Sequence, residues 1–120
     1  MKNQIKLLTI LIATLLIGFS SCKKDKFKNQ QTVKKLYEIY KNGEISECKY
    51  NGEIVYSAGL NAFDAGSAIY NKDGQLIVVC NYGWGNVDPI CKQLTDCEVI
   101  YRVGDNIWKL PAVDKYGISK

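Results

Sequence analysis

The sequence predicts an α+β domain in which one N-terminal helix packs on a mostly antiparallel sheet of hairpins, stapled by disulfides. Three observations lead there: one amphipathic stretch after residue 31, hairpin turn signals following it, and four cysteines, Cys48, Cys80, Cys91 and Cys97, spread through the strand region. One helix followed by a run of strands buries its apolar stripe by covering one face of the sheet.

The elements follow in chain order. Thr32 is placed to cap a helix in which Val33, Leu36, Tyr37 and Tyr40 share a face, and Gly43 supplies the stop after Asn42. Strand signals begin at Ser46. Cys48-Lys49-Tyr50 and Glu53-Ile54-Val55-Tyr56 flank Asn51-Gly52, the strongest short hairpin signal. Ala68-Ile69-Tyr70 and Gln75 to Cys80 flank Asn71-Lys72-Asp73-Gly74, where Gly74 can take the positive φ that such a turn needs. The aliphatic run Leu76-Ile77-Val78-Val79 predicts a central strand. Cys97, Val99, Tyr101 and Val103 alternate with Glu98, Ile100 and Arg102, and Gly104-Asp105-Asn106 turns the chain toward Ile107-Trp108-Lys109-Leu110, a third predicted hairpin. Tyr56, Tyr70 and Tyr101 are expected to serve the sheet, as strand aromatics do.

Ahead of this domain, Lys2 and Lys6 precede an apolar run, Leu7 to Ile17, interrupted only by Thr9 and Thr14. This is the layout of a signal peptide, and the run falls short of the roughly 20 apolar residues that a spanning helix needs. It then turns small and polar at Gly18-Phe19-Ser20-Ser21-Cys22. Ser20-Ser21-Cys22 resembles the lipobox of bacterial lipoproteins, which implies cleavage after residue 21 and diacylation of the Cys22 sulfur with palmitate-type chains. Phe19 departs from the pattern, which favours an aliphatic residue there. The expected organisation is a signal peptide over 1–21, a lipidated tether over 22–31 and one domain over 32–120, held in the cell envelope by its lipid, with the outer membrane favoured over the inner.

Charge is divided along the chain. The whole sequence carries 16 basic and 12 acidic side chains, a net of +4. Cleavage removes two lysines and no acids, leaving 14 against 12 over 99 residues. Residues 23–41 hold seven lysines against Asp25 and Glu38, whereas residues 42–120 hold seven basic and ten acidic groups. A lysine-rich tether beside an anionic leaflet would gain about 1 kcal/mol per nearby Lys. An exported, otherwise acidic domain argues against nucleic acid as a partner.

With Cys22 lipidated, four cysteines remain, an even number that suggests two disulfides in any of three pairings. A Cys91–Cys97 pair would hold out a short loop over residues 92–96. Ile54-Val55-Tyr56, the stretch Ala65 to Ile77, and then Cys80 and Cys91 together resemble small lipoprotein domains of unknown function from Bacteroidota, in which a Val-Tyr strand precedes a Tyr-Asp-x-x-Gly hairpin and a glycine-rich cysteine loop. This chain has Asn71 where that pattern favours Asp, and its loop is poorer in glycine. The resemblance implies Cys80 with Cys91 and Cys48 with Cys97, and it names no activity.

Chemistry narrows by subtraction. The chain has no histidine, so Ser-His-Asp and Cys-His arrangements, His-bearing zinc sites and imidazole bases are excluded. There is no Cys-x-x-Cys, no phosphate-binding loop, and Gly83-Trp84-Gly85 lacks a dinucleotide-binding setting. Asn71-Lys72-Asp73-Gly74 lacks the later ligands of a calcium loop. No cofactor and no metal are expected. Asp64, Asp88, Asp96 and Glu98 are nominal carboxylates for glycoside hydrolysis, but nothing places any two at a working separation and they are better read as turn, cap or surface acids. The most suggestive segment is Asn81 to Ile90. Tyr82 and Trp84, with Lys92 just beyond, either present a contact surface or, for Trp84, fill the core. The expected function is a non-enzymatic binding module for a protein or glycan, attached to the membrane through Cys22. The alternatives are a small carboxylate-based hydrolase and a disulfide-stapled protease inhibitor exposing Lys92.

Overall fold

A two-residue turn sets the register of the first hairpin. Asn51 and Gly52 both take positive φ (51° and 79°), the backbone of the turn whose twist suits antiparallel strands. The computed structural model of the chain describes residues 29–81 and 87–120, and within them this turn joins β1 (Gly43–Tyr50) to β2 (Glu53–Leu60). Helix α1 (Gln30–Tyr40) precedes them; β3 (Ser67–Asn71), β4 (Leu76–Cys80), a 3-10 turn (Pro89–Lys92), β5 (Thr95–Arg102) and β6 (Val113–Asp114) follow. The six strands form one sheet in the order β4-β3-β2-β1-β5-β6, with every neighbouring pair antiparallel. Among the described residues the architecture is the α+β arrangement expected, one helix on an antiparallel sheet.

Asn71 organises the second hairpin. Its Oδ1 accepts from the backbone N–H groups of Asp73 (3.0 Å) and Gln75 (2.9 Å), and Gly74 at φ 83° closes the turn onto the Asn71 carbonyl. Thr32 is not the helix cap. The helix begins two residues earlier, after Asn29, and the Thr32 hydroxyl donates to the Lys72 carbonyl at 2.6 Å, tying α1 to the β3–β4 turn.

Each sheet face has its own core. Val33, Leu36 and Tyr40 of α1 pack on Ile45, Tyr56, Ala58, Ile100 and Tyr101. On the opposite face Cys48, Val55, Ile69 and Cys80 pack beneath Ile90 of the 3-10 turn. Two disulfides, Cys48–Cys97 and Cys80–Cys91, lie on this second side, the first joining β1 to β5 and the second tying β4 to the 3-10 turn. The five residues between Cys91 and Cys97 are therefore not a disulfide-closed loop.

Two strand expectations are corrected. The β4 segment is an edge strand, not a central one: Leu76, Ile77 and Val79 remain 56%, 45% and 59% exposed. The third hairpin does not form as read, because β5 pairs with Val113–Asp114 and residues 107–110 are not a strand. Buried Asn106 holds them as a loop, its amide donating to the carbonyls of Val103 and Leu110 (both 2.8 Å) while its Oδ1 accepts from the Leu110 N–H. The alternation of β5 is also interrupted. A bulge opposite Ile45 and Ser46 sends both Ile100 and Tyr101 into the helix-side core.

The C-terminus is fastened by Asp114, whose carboxylate accepts from the Ile118 N–H (2.8 Å), the Ser119 N–H (3.2 Å) and the Ser119 hydroxyl. Partial burial pushes its pKa up, but these three donors outweigh burial and hold it below the usual value. A depressed folded pKa means that this contribution is complete above about pH 4 and is lost as pH falls through the lower folded value. Below about pH 4, amide exchange at Ile118 and Ser119 is therefore expected to accelerate ahead of Ile100. Equal acceleration at all three would show that Asp114 does not hold the tail.

Candidate functional site

Strand register dictates what the sheet shows on the side away from α1. One row across the sheet reads Cys80, Ser67, Gly59, Glu44, Arg102, and the next reads Val78, Ile69, Ser57, Ser46, Val99. A third row, Asn71, Val55 and Cys48, lies toward the Ile90 cover. The small residues of the first two rows leave a shallow floor of hydroxyls beside the disulfide-capped core.

Two loops raise walls around that floor and make a cleft of about 330 Å³. The β2–β3 loop brings Phe63, 87% exposed, and the β5–β6 loop brings Trp108 and Leu110. Both walls are stitched to the frame. Asn61 donates its N–H to the Asn42 carbonyl (3.0 Å) and accepts at Oδ1 from the Ile107 N–H (2.8 Å), joining one loop to the other. At the end of the cleft Arg102 Nε pairs with Glu44 at 2.6 Å while its Nη1 donates to the Pro111 carbonyl at 3.2 Å. Glycines permit the close strand approach here. A Cβ on Gly43 would lie 2.1 Å from the Gly59 carbonyl oxygen, and one on Gly66 would lie 2.3 Å from that of Cys80.

A second hollow, about 300 Å³, lies on the helix side near β6. Its two glutamates face each other across β1 and β5, and each already has a partner: Lys115 reaches Glu98 at 2.7 Å and the Tyr116 hydroxyl donates to Glu47 at 2.8 Å. Glu98 raises the pKa of the Lys115 ammonium. Both glutamates of this hollow are thus already engaged.

The residues singled out from sequence scatter. Tyr82 and Trp84, like Cys22 and the signal segment, lie outside the described residues. Lys92 is exposed at the end of the 3-10 turn. Asp88 caps that turn, accepting from the Ile90 N–H at 3.1 Å; Asp64 is exposed in the β2–β3 loop; Asp96, at φ 51°, and Glu98 belong to β5. The carboxylate that lines the cleft, Glu44, is committed to Arg102. Sequence reasoning missed the cleft, although the Asn51-Gly52 turn already fixes Ser46 opposite Ser57. In class the chain is a small α+β domain with two disulfides. No protein family, curated protein or solved structure matches it.

Proposed function

We propose that the protein is a non-enzymatic, lipid-anchored module of the bacterial cell envelope that binds a glycan in the cleft between the Phe63 and Trp108 walls. The observation that carries the binding reading is the pairing of a serine-lined floor with aromatic and aliphatic walls. Hydroxyls serve as both donors and acceptors, which suits the alternating polarity of a sugar's hydroxyl groups, while an aromatic face suits the ring's C–H surface. The cellular address rests on the signal pattern and on Cys22, and two disulfides fit an oxidising compartment outside the cytoplasm.

Calorimetric titration with soluble neutral oligosaccharides and muropeptides tests the reading. Binding by at least one of them is expected, weakened about tenfold by Trp108→Ala, the loss of one stacking contact, and similarly by Ser57→Leu, which fills the floor. Absence of binding throughout the panel, or binding that both substitutions leave intact, would overturn it.

A further inference from the structure

The charges of the cleft narrow what it takes. Among the described residues that line it, Glu44 and Arg102 are the only charged ones, and they form one ion pair at 2.6 Å. The pair is built into the sheet. Glu44 and Arg102 stand opposite each other in the β1–β5 ladder, and the Pro111 carbonyl holds the guanidinium a second time. Their side chains are 28% and 12% exposed, so both groups are largely withdrawn from water. The bonds described occupy Nε, one hydrogen of Nη1 and Oε2, which leaves further N–H donors and Glu44 Oε1 for a ligand. The wall loops add one exposed charge of each sign, Asp64 and Lys109, where salt screens them.

We propose that the Glu44–Arg102 pair makes the cleft selective for uncharged glycans, reading two neighbouring hydroxyls of one sugar ring and rejecting uronic acids and other acidic sugars. This rests on the glycan reading of the cleft and adds the class of sugar. One hydroxyl can donate to Glu44 while its neighbour accepts from Arg102, and hydrogen bonds to ionised groups are about twice as strong as those between neutral ones. A ligand carboxylate meets a different balance. The group that would receive it, Arg102, is already neutralised by Glu44, and among the described lining residues no second cation compensates for the water the carboxylate sheds. The ligand's charge would also lie against that of Glu44. Because the ladder sets the ion pair before any ligand arrives, binding a diol costs little reorganisation.

Calorimetric titration of the full chain in detergent at low ionic strength tests this with cellotetraose and mannotetraose. Beside them stand the uronic-acid tetramers that carry a carboxylate in place of each exocyclic hydroxymethyl group. The neutral tetramers are expected to bind at least tenfold more tightly than their acidic counterparts, and more tightly than muropeptides. Glu44→Gln keeps the shape and an oxygen for Arg102 but removes the negative charge. It should weaken the neutral tetramers about three- to tenfold and tighten the acidic ones about tenfold or more, a gain that added salt shrinks. A merely structural Glu44 would weaken both sets together. Acidic tetramers or muropeptides that bind the unsubstituted protein as tightly as the neutral ones overturn the selectivity and leave the glycan reading standing. An unchanged preference in Glu44→Gln does the same, and if that variant does not fold, the preference of the unsubstituted protein decides. No binding by either set removes the glycan reading and the selectivity with it.

Discussion

Replacing Cys48 and Cys97 together by alanine is expected to lower the unfolding free energy by about 4 kcal/mol, and replacing Cys80 and Cys91 by about 3 kcal/mol, from the chain entropy each bridge removes. The difference follows from sequence separations of 49 and 11 residues. It is reinforced by position. The first bridge joins β1 to β5 beside a register shift, where the ladder is interrupted. For a domain of this size about 4 kcal/mol corresponds to a melting temperature lower by roughly 15–30 °C. Thermal unfolding followed by circular dichroism on the two double variants checks the order. If losing the Cys80–Cys91 bridge costs as much as losing the other, loop closure is not the dominant contribution.

The second large effect is expected at Tyr56, which is fully buried at the centre of the helix-side core. Tyr56→Ala should cost about 3–5 kcal/mol through lost burial and the cavity left behind. Tyr56→Phe should behave in the opposite way. The phenol oxygen is enclosed without a hydrogen bond of normal geometry, so removing it relieves an uncompensated polar group, and stability should be unchanged or higher by about 1 kcal/mol. Alkaline titration separates this from simple packing. Burial, chiefly, pushes the Tyr56 pKa up to about 12, against which the neighbouring Asn29 amide pulls weakly. The folded state therefore favours the neutral phenol: its contribution is whole below about pH 10 and is lost as pH rises toward 12. Tyr40, raised by burial and by its 2.7 Å hydrogen bond to Tyr70, adds to the same loss. Tyr56→Phe should keep more of its neutral-pH stability at pH 11 than the unsubstituted protein does. Identical alkaline losses would show that the phenol titrates freely.

What could be read from sequence was local. The apolar face of α1, the Asn51-Gly52 hairpin and the Asn71–Gly74 turn depend on residues within a few positions of one another, and all three are present. The disulfide pairing came from resemblance, since spacing alone left three choices. What failed was non-local. An aliphatic run has the same composition in a central strand as at an edge, and only the sheet order shows that β4 has one neighbour. Residues 107–110 alternate plausibly, but Asn106 claims their backbone groups first. The cleft depends on β1 lying between β2 and β5. Glu44 meets Arg102 across 58 residues, a pairing no short window contains.

Strand order also bears on how the chain comes to be made. The meander from β1 to β4 can assemble as consecutive hairpins, but the second neighbour of β1 arrives only with residues 95–102. Cys48 therefore waits for Cys97 while Cys80 and Cys91 emerge first. The native bridges are nested, one pair inside the other. With the Cys22 thiol taken up by lipid, as proposed, oxidation in order of emergence would instead join Cys48 to Cys80 and Cys91 to Cys97, and neither pair is native. A chain threaded into an oxidising compartment from its N-terminus reaches this fold by holding Cys48 reduced until β5 docks, or by exchanging an early wrong bridge through a mixed disulfide. The yield of correctly bridged protein is then set by thiol exchange during biogenesis as much as by the stability of the finished domain.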